Sequence, residues 1–395
     1  MAKDVVTEPG LDSPKSGRLL VTLILLGIAN HSVLAGSRVV VSLNALSMGA
    51  STFTVGVAMS LYAVFPMLLS VATGRISDRI GVRRPMRVGS AAIALGVGVP
   101  FAFPGLPALM VSASLVGVGF MAFQIAAQNA TGELGSPAQR ARNFGLLAVG
   151  YSVSGFIGPL IAGFAIDHLG FRASFGTFAL IPLVPLAVLA SQRFVPPGRR
   201  LSVGAVHHGG VVALLRHRTL RRVFAMNAML SMGWELHAIF IPIYGAQIGF
   251  SASEIGLVLS SFAAATFVVR FSMPALSRAL TEHQILTGAL LIGGLVYLVY
   301  PLSKSFAVLL ALSFTLGLGL GGGQPIVMSL LHAHAPPGRV GEAAGVRMML
   351  VTGMSVSVPL VLGGVGASLG IAPVFWLVGA VLLASGVAAR RDERR

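Results

Sequence analysis

Three ionisable residues lie inside long apolar stretches of the sequence, where a charge is costly in lipid and usually serves function. Glu235 follows Arg222 by 13 residues in one stretch, and His31 follows Arg18 by 13 residues in another. If both stretches are helices, the two side chains lie about 20 Å along them. Arg38 lies seven residues beyond His31 and therefore on the same helical face. These residue types predict a site that binds protons or charged groups within a membrane.

Glu235 is the first candidate for carrying a proton, and His31 is the second. Burial away from water favours the neutral carboxyl group, whereas water or a neighbouring cation favours the carboxylate. A protein that alternates between these surroundings would tie protonation to conformation. The alternatives are a structural hydrogen bond between helices for Glu235, a packed neutral imidazole for His31, and an Arg38 side chain that extends to the membrane surface.

Polar groups in the same stretches are candidates for lining a substrate cavity. Gln124 and Gln324 lie 200 residues apart in equivalent stretches. Amides at that depth either bind a substrate or join neighbouring helices. Arg38, Asn30 and Trp234 complete the predicted cavity.

The composition excludes an ordinary soluble domain. Hydrophobic residues make up 55% of the 395 residues and charged residues 10%, whereas soluble domains carry about 25% charged residues. The net charge of +16 does not indicate nucleic acid, because the basic residues lie between apolar segments rather than on one patch. No cysteine is present, and His332 and His334 lack a third ligand, so no metal, cofactor or catalytic residue is predicted.

The apolar stretches predict an all-α membrane protein with twelve transmembrane helices. Lipid cannot satisfy an open backbone, which excludes isolated strands, and each helical span needs about 20 apolar residues. The predicted helices are 19–44, 52–73, 86–104, 107–130, 143–166, 172–192, 222–246, 252–273, 284–302, 306–331, 343–366 and 372–389.

The basic residues predict the orientation of these helices. Of the 28 Lys and Arg residues, all but Arg38, Arg172 and Lys304 fall on the side of the N-terminus. Because basic loops stay in the cytoplasm, both termini are expected there, with the chain in the cell inner membrane. The predicted organisation is a cytoplasmic tail (1–17), a six-helix bundle (18–192), a cytoplasmic linker (193–221), a second six-helix bundle (222–390) and a final tail (391–395).

The two predicted bundles are related by an internal repeat with an offset of 200 residues. Seven pairs of glycines superpose at this offset: Gly49, Gly56, Gly117, Gly119, Gly145, Gly163 and Gly170 fall on Gly249, Gly256, Gly317, Gly319, Gly345, Gly363 and Gly370. Pseudo-symmetric bundles of this kind are typical of transporters that rock around a central cavity. Glu235 corresponds to Ala35, one helical turn from His31, so His31, Arg38 and Glu235 are expected to face one cavity.

The segment after the second predicted helix carries the most specific motif, Gly74-Arg-Ile-Ser-Asp78-Arg79-Ile-Gly81-Val-Arg83-Arg84. It resembles the signature of the major facilitator superfamily, in which this loop latches the outward-facing state. The resemblance therefore implies a gating loop formed by Gly74, Asp78, Arg79, Gly81, Arg83 and Arg84. The two glycines would permit a tight turn, and Asp78 would approach the start of the eleventh helix, near 341–343.

The fifth predicted helix resembles the antiporter signature of the same superfamily. It carries Gly145, Gly158, Pro159 and Gly163. Small residues allow helices to pack closely and Pro159 bends the helix. Helix packing without an antiport function is the alternative.

The sequence departs from the superfamily in two places. The arginine expected in the fourth helix is missing, and Ala113 and Leu115 stand where it could be. In the second half, Pro274 and Arg278 stand at the positions equivalent to the glycine and aspartate of the loop motif. Proton coupling would therefore have to depend on other residues.

The resemblance and the single membrane acid predict a secondary transporter rather than an enzyme. The favoured function is efflux of a small organic solute by antiport against protons, by a monomer surrounded by membrane lipid. The alternative is proton symport or facilitated uptake of a small organic solute, including an anion, which Arg38 and His31 would suit. A membrane receptor or scaffold that no longer transports is a third reading.

Overall fold

The structure is a computed structural model that describes residues 14–134, 137–191, 214, 216–336 and 339–393. Within these ranges the chain is helical and contains no strand. The helices are α1 Pro14–Ser47, α2 Thr52–Ile80, α3 Arg83–Ala102, α4 Leu106–Glu133, α5 Pro137–Leu180, α6 Leu183–Ala190, α7 Arg218–Gln247, α8 Ala252–Ala279, α9 Glu282–Val299, α10 Phe306–Leu320, α11 Gly323–His334, α12 Val340–Leu369 and α13 Ile371–Glu393, with a 3₁₀ turn at Tyr300–Leu302.

Ten stretches of the described residues are long and apolar enough to cross a membrane. One of them, Arg142–Ala190, has 49 residues, and Gly170 interrupts its helical backbone with a φ of 78°. The 30-residue α7 is not among the ten, because it carries polar residues such as Glu235 and His237. The predicted class, an all-α membrane protein, is confirmed.

Several helix boundaries differ from the predicted ones. The second predicted helix, 52–73, continues to Ile80, because the residues after Gly74 keep a helical backbone. Gly74 therefore lies inside α2, and the predicted two-glycine turn is made by Gly81 alone, with a φ of 79°. The tenth predicted helix, 306–331, is two helices that meet at 321–322, within a run of glycines. Most of the predicted linker, and 1–13 of the first tail, lie outside the described residues.

The 200-residue offset found in the sequence also relates backbone geometry. Gly49 and Gly249 have φ values of 79° and 86°, and Gly170 and Gly370 have values of 78° and 85°. Such positive values favour glycine, because a Cβ would clash with the backbone. We call residues 14–191 the N-terminal half and residues 214–393 the C-terminal half.

Two equivalent seams join the halves, one between α2 and α12 and the other between α5 and α8. Ser60 Oγ donates to the Val356 carbonyl at 3.2 Å across the first seam. The residue 200 positions later, Ser260, donates to the Phe156 carbonyl at 2.8 Å across the second. At Gly256 an added Cβ would lie 2.5 Å from the Pro159 carbonyl oxygen, so the helices touch through their backbones.

We distinguish two ends of the molecule. The basic end is where α2 meets α3 and carries the cations of the loop motif. The opposite end, where α1 meets α2, is called the distal end. At the distal end the Asp167 carboxylate of α5 accepts hydrogen bonds from the Ala252 and Ser253 amides at 3.1 and 2.7 Å. It therefore caps α8 from the other half. The equivalent position on α12 is Ala367, so the other seam has no such cap at this position.

We expect Gly256→Ala to destabilise the protein. Its new Cβ would meet the Pro159 carbonyl, and overpacking of this kind costs about 1–3 kcal/mol. The measurement is the apparent Tm of the purified protein in nanodiscs. Gly145→Ala is the matched control, since that helical glycine has no atom of a neighbouring helix within 4 Å of an added Cβ. Equal Tm values for the two variants would contradict the backbone contact.

We expect Asp167→Asn to loosen the distal end. An anion at a helix N-terminus contributes about 0.3–1 kcal/mol at an exposed site, so the closed-to-open ratio should fall about two- to fivefold. The chain has no cysteine, so spin labels can be placed at Met48→Cys and Lys304→Cys, one in each half. Their distance distribution reports opening.

The control for this distance measurement is Glu254→Gln. Glu254 accepts from the Ser251 amide within its own half, so its loss removes an acid from the same helix start without touching the seam. If Glu254→Gln opens the distal end as far as Asp167→Asn does, the cross-half contact is not responsible.

Candidate functional site

A cavity of about 820 Å³ lies between the two halves. Its walls come from α1, α2 and α4 of the N-terminal half and from α7 and α12 of the C-terminal half. It extends from the middle of the molecule toward the basic end, where Met348 and Met349 on its wall are about half exposed. The polar residues that line it are Arg38, Tyr62, Ser70, Gln124, Gln128, Glu235, Thr352 and Ser355.

An ion pair between the halves forms the charged part of this cavity. Arg38 Nη2 on α1 donates to Glu235 Oε2 on α7 at 2.7 Å. Ser355 Oγ on α12 donates to the other carboxylate oxygen, also at 2.7 Å. The side chains of Arg38 and Glu235 are 21% and 14% exposed, so water screens the pair weakly. Both oxygens of the carboxylate are therefore held.

The guanidinium group is less fully used than the carboxylate. Arginine has five N–H groups, and the bond from Nη2 to Glu235 uses one of them. Arg38 Nε is buried and has no hydrogen-bond partner among the described residues. At least one N–H group of the guanidinium is therefore available to another acceptor.

Methionines dominate the apolar wall of the cavity. Met59, Met67, Met121, Met348 and Met349 line it together with an aromatic ring from α4. Methionine is unbranched and polarisable, so it fits ligands of different shape and makes favourable contacts with aromatic rings. The wall suits an apolar or aromatic body, and the ion pair suits a charged group.

His31 does not line this cavity. Its Nδ1 lies 2.5 Å from Ser154 Oγ on α5. Its ring lies 5.2 Å from the ring of Phe120 and 5.0 Å from that of Tyr151. The structure thus brings Arg38 and Glu235 together, as expected, but places His31 against α5. Seven residues are slightly less than two full helical turns, and the neighbours of α1 differ at the two levels.

The weaker candidates also take structural partners. Asn30 Nδ2 donates to Ser90 Oγ at 2.9 Å, and Trp234 Nε1 donates to the Leu320 carbonyl at 3.5 Å. Neither lines the cavity.

The two glutamines related by the repeat have different surroundings. Gln124 lines the cavity, with Gln128 one helical turn further along α4. Gln324 instead accepts a hydrogen bond from Arg347 and does not line the cavity. Sequence reasoning did not select Gln128, although its spacing of four residues from Gln124 was a usable signal.

Two arginines inside the helices were also missed. Arg270 on α8 donates to Ser152 Oγ on α5 at 2.7 Å, and to the Ala148 and Gly321 carbonyls at 3.3 Å each. Arg347 lies in α12, seven residues after its start. Both fall inside the predicted helices 252–273 and 343–366, near their ends, and were counted only among the basic residues of the cytoplasmic side.

The loop motif forms one contact that the sequence did not predict. Arg83 Nε donates to the Leu189 carbonyl at 2.8 Å, and its Nη2 donates to the carbonyls of Ala190 and Ser191 at 3.1 and 2.7 Å. It thereby holds the end of α6, whose last carbonyls have no partner in their own helix. Arg84 is exposed.

The predicted contact of Asp78 falls outside the part of the chain that is described. The side chain of Asp78 and those of residues 341 and 342 are not among the described ones. Arg79 lies in the last turn of α2 and forms an interaction of its own. A latch between Asp78 and the start of α12 therefore stays a prediction.

Only some of the glycines in the fifth predicted helix form close contacts with neighbouring helices. A Cβ at Gly158 would lie 2.5 Å from the Ser32 carbonyl oxygen of α1, and one at Gly163 would meet the Ala252 carbonyl of α8. Pro159 presents its carbonyl to α8. Gly145 is exposed and touches no neighbouring helix. Three of the four residues thus set the distance from α5 to helices of both halves.

Curated relatives cover most of the chain. An uncharacterized MFS-type transporter, YuxJ of Bacillus subtilis, is 24% identical over 86% of this chain and 90% of its own length. The class G tetracycline resistance protein of Vibrio anguillarum is 25% identical over 77% of this chain and 78% of its own. The multidrug resistance protein MdtG of Dickeya zeae is 24% identical over 86% and 85%.

Solved structures share the fold. A peptide transporter POT in complex with sulfate matches with a TM-score of 0.78 and 18% identity, over 96% of this chain and 94% of its own. A POT family transporter in complex with 5-aminolevulinic acid matches with a TM-score of 0.78 and 16% identity, over 94% and 95%. At this identity the likeness concerns the fold.

The family model carries the assignment. The model described as the Major Facilitator Superfamily matches residues 19–227 and residues 223–395, nearly the whole chain. The resemblance seen in the loop motif is confirmed: this chain is a multi-pass membrane protein that belongs to the Major Facilitator Superfamily of transporters.

Proposed function

We propose that this chain is a proton-coupled secondary transporter that moves a small organic solute by alternating access, with Glu235 as the residue that carries the proton. The observation that supports this most is the ion pair of Arg38 and Glu235. It is the point at which an ionisable group lines the cavity and joins the two halves at the same time.

Protonation of Glu235 would act on the contact between the halves. While Glu235 is ionised, its carboxylate is held by Arg38 from one side and by Ser355 from the other. A proton on the carboxylate removes the charge that Arg38 attracts, so the link between α1 and α7 weakens. Charge-assisted hydrogen bonds are about twice as strong as neutral ones, which gives the proton leverage over conformation.

The conformation of the cavity supports proton release at the basic end. The cavity extends toward that end, whereas Asp167 and the close glycine contacts hold the distal end together. In this state Arg38 and Ser355 hold both oxygens of the Glu235 carboxylate. Protons would therefore leave Glu235 toward the basic end. His31 takes no proton-transfer step in this scheme, because it lies outside the cavity.

The same proposal extends to topology. The ten apolar stretches become twelve spans if Arg142–Ala190 is divided at Gly170 and α7 is added. Twelve spans place both termini on one side, and the basic loops place that side in the cytoplasm of a bacterial inner membrane. The two six-helix bundles would then be 18–192 and 222–390, joined by the linker 193–221.

The first of two candidate transport modes is export of the solute by antiport against protons. Two relatives named above are resistance proteins, one for tetracycline and one for multiple drugs. Gly158, Pro159 and Gly163 of α5, which belong to the segment that resembles the antiporter signature, pack against helices of both halves. In export the solute would enter from the cytoplasm and a proton would return through Glu235.

The second candidate transport mode is uptake of the solute, by proton symport or by facilitated diffusion. The unpartnered Nε of Arg38 favours it, because a solute that binds there and draws Arg38 away from Glu235 leaves Glu235 free to accept a proton. Solute and proton would then bind together rather than in turn.

Glu235→Gln tests the coupling. Wild-type proteoliposomes are screened with tetracycline, norfloxacin, ethidium and 2-naphthoate under an imposed pH gradient, with pyranine inside to report proton movement. For the solute that moves, we expect Glu235→Gln to abolish gradient-driven accumulation, because the amide cannot take up and release the proton. Exchange of labelled for unlabelled solute should persist, because the cavity remains.

Glu254→Gln is the control, since this acid lies on the surface at the start of α8. Full gradient-driven accumulation by Glu235→Gln would exclude Glu235 as the coupling residue. Absence of flux for every solute by the wild-type protein would count against transport itself and favour a receptor.

A further inference from the structure

Positive charge is in excess inside the helices. Among the described residues, three arginines that lie away from the helix ends are at least partly buried: Arg38, Arg270 and Arg347. A single carboxylate, Glu235, lies at comparable positions in the described helices. The interior that surrounds the cavity therefore carries more cations than anions.

The two additional arginines have neutral partners. Arg270 donates to two carbonyls and a hydroxyl. Arg347 donates to the amide oxygen of Gln324, and its buried Nε has no partner among the described residues. Buried ions are normally paired with an opposite charge, because the loss of hydration is expensive. Neither arginine has a carboxylate partner in the described part of the chain.

One of these arginines lies close to the cavity along the chain. Arg347 stands between Gly345 and Met348, which both line it. Because a charge in a medium of low dielectric acts over several ångströms, Arg347 adds to the positive potential that a ligand would meet. Arg270 lies at the seam between α5 and α8.

The ion pair itself discriminates between ligands of opposite charge. A cationic ligand would have to take Glu235 from Arg38 and Ser355, and would leave a third uncompensated arginine. An anionic ligand would take Arg38 from Glu235, and its charge would reduce the excess. Both oxygens of the carboxylate already accept a hydrogen bond, whereas Nε of the guanidinium has no partner among the described residues.

We infer that the solute is an organic anion with an apolar or aromatic body, whose acid group replaces Glu235 on Arg38 while the displaced Glu235 takes up a proton from water. The body lies against the methionine wall. This inference rests on the proposed role of the ion pair in transport. It favours proton symport over antiport, because the anion and the proton bind together.

Three probes with one aromatic body test the charge. They are 2-naphthoate, 2-naphthamide and 2-naphthylmethylamine, titrated calorimetrically into the full chain in nanodiscs, with empty nanodiscs subtracted. Each titration is repeated in two buffers of different ionisation enthalpy, which gives the protons taken up or released. We expect the acid to bind at least about tenfold more tightly than the amide or the amine, with uptake of protons by the protein.

Two variants locate the effect at the ion pair. Glu235→Gln should bind 2-naphthoate at least as tightly as the wild type, without proton uptake, because the competing carboxylate is gone. Arg38→Gln should lose the preference for the acid. Arg172→Gln is the control, since Arg172 is an exposed arginine that donates to the Phe101 carbonyl outside the cavity, and it should bind like the wild type.

The inference is overturned if the amine binds most tightly, if protons are released on binding, or if the wild-type protein binds none of the three probes. These outcomes are independent of the flux assay. Proton-driven flux of a cation together with weak binding of 2-naphthoate would contradict the anionic solute but support proton-coupled transport. Proton-linked binding of 2-naphthoate without any flux would support the anionic ligand but contradict transport.

Discussion

The ion pair of Arg38 and Glu235 is the constraint on which the rest of this structure depends. A lone carboxylate inside an apolar bundle is unstable as an ion, and a lone guanidinium is worse, because its proton is not readily lost. Each is tolerable because the other lies 2.7 Å away, on the opposite half of the molecule. The halves must therefore stay in register near this point while the cavity beside it remains accessible. A proton, which cancels one of the two charges, is the smallest change that alters this balance.

The pseudo-symmetry of the chain aligns the two halves at both seams. The positions that depart from this symmetry make the two seams, and hence the two end states, unequal. The equivalent serines Ser60 and Ser260 each donate a hydrogen bond across one of the two seams, so both seams are joined in the same way. The exceptions lie at both ends: Asp167 caps α8 where Ala367 could not cap α2, and Arg270 crosses a seam at the level where its counterpart Ser70 lines the cavity. One seam is thus more strongly joined than the other. A transporter built from two equal halves needs such inequalities if its two end states are to differ in stability.

Much of this fold could be predicted from the sequence, because lipid permits few structures. Hydropathy placed the helices to within a few residues at most ends, and the 200-residue offset predicted that His31, Arg38 and Glu235 would face one cavity, which the structure shows for Arg38 and Glu235. The orientation of His31 could not be predicted, since it depends on Ser154 and Tyr151 of α5, which are distant in the chain. Arg270 and Arg347 fall inside predicted helices but were counted with the basic residues of the cytoplasmic side, because hydropathy gives no information on the carbonyls and the amide that accept their hydrogen bonds.

The most direct test of the account is the pH dependence of the distance between the halves at the basic end. Spin labels at Ile80→Cys and Leu280→Cys, exposed residues related by the repeat, measure it in a chain without other cysteines. The wild-type protein is predicted to move from longer to shorter distances between alkaline and acidic buffer, as Glu235 is protonated and leaves Arg38. In Glu235→Gln the two distributions are predicted to coincide. An undiminished pH response in Glu235→Gln, or no response in the wild type, would contradict the claim that this ion pair couples protonation to conformation.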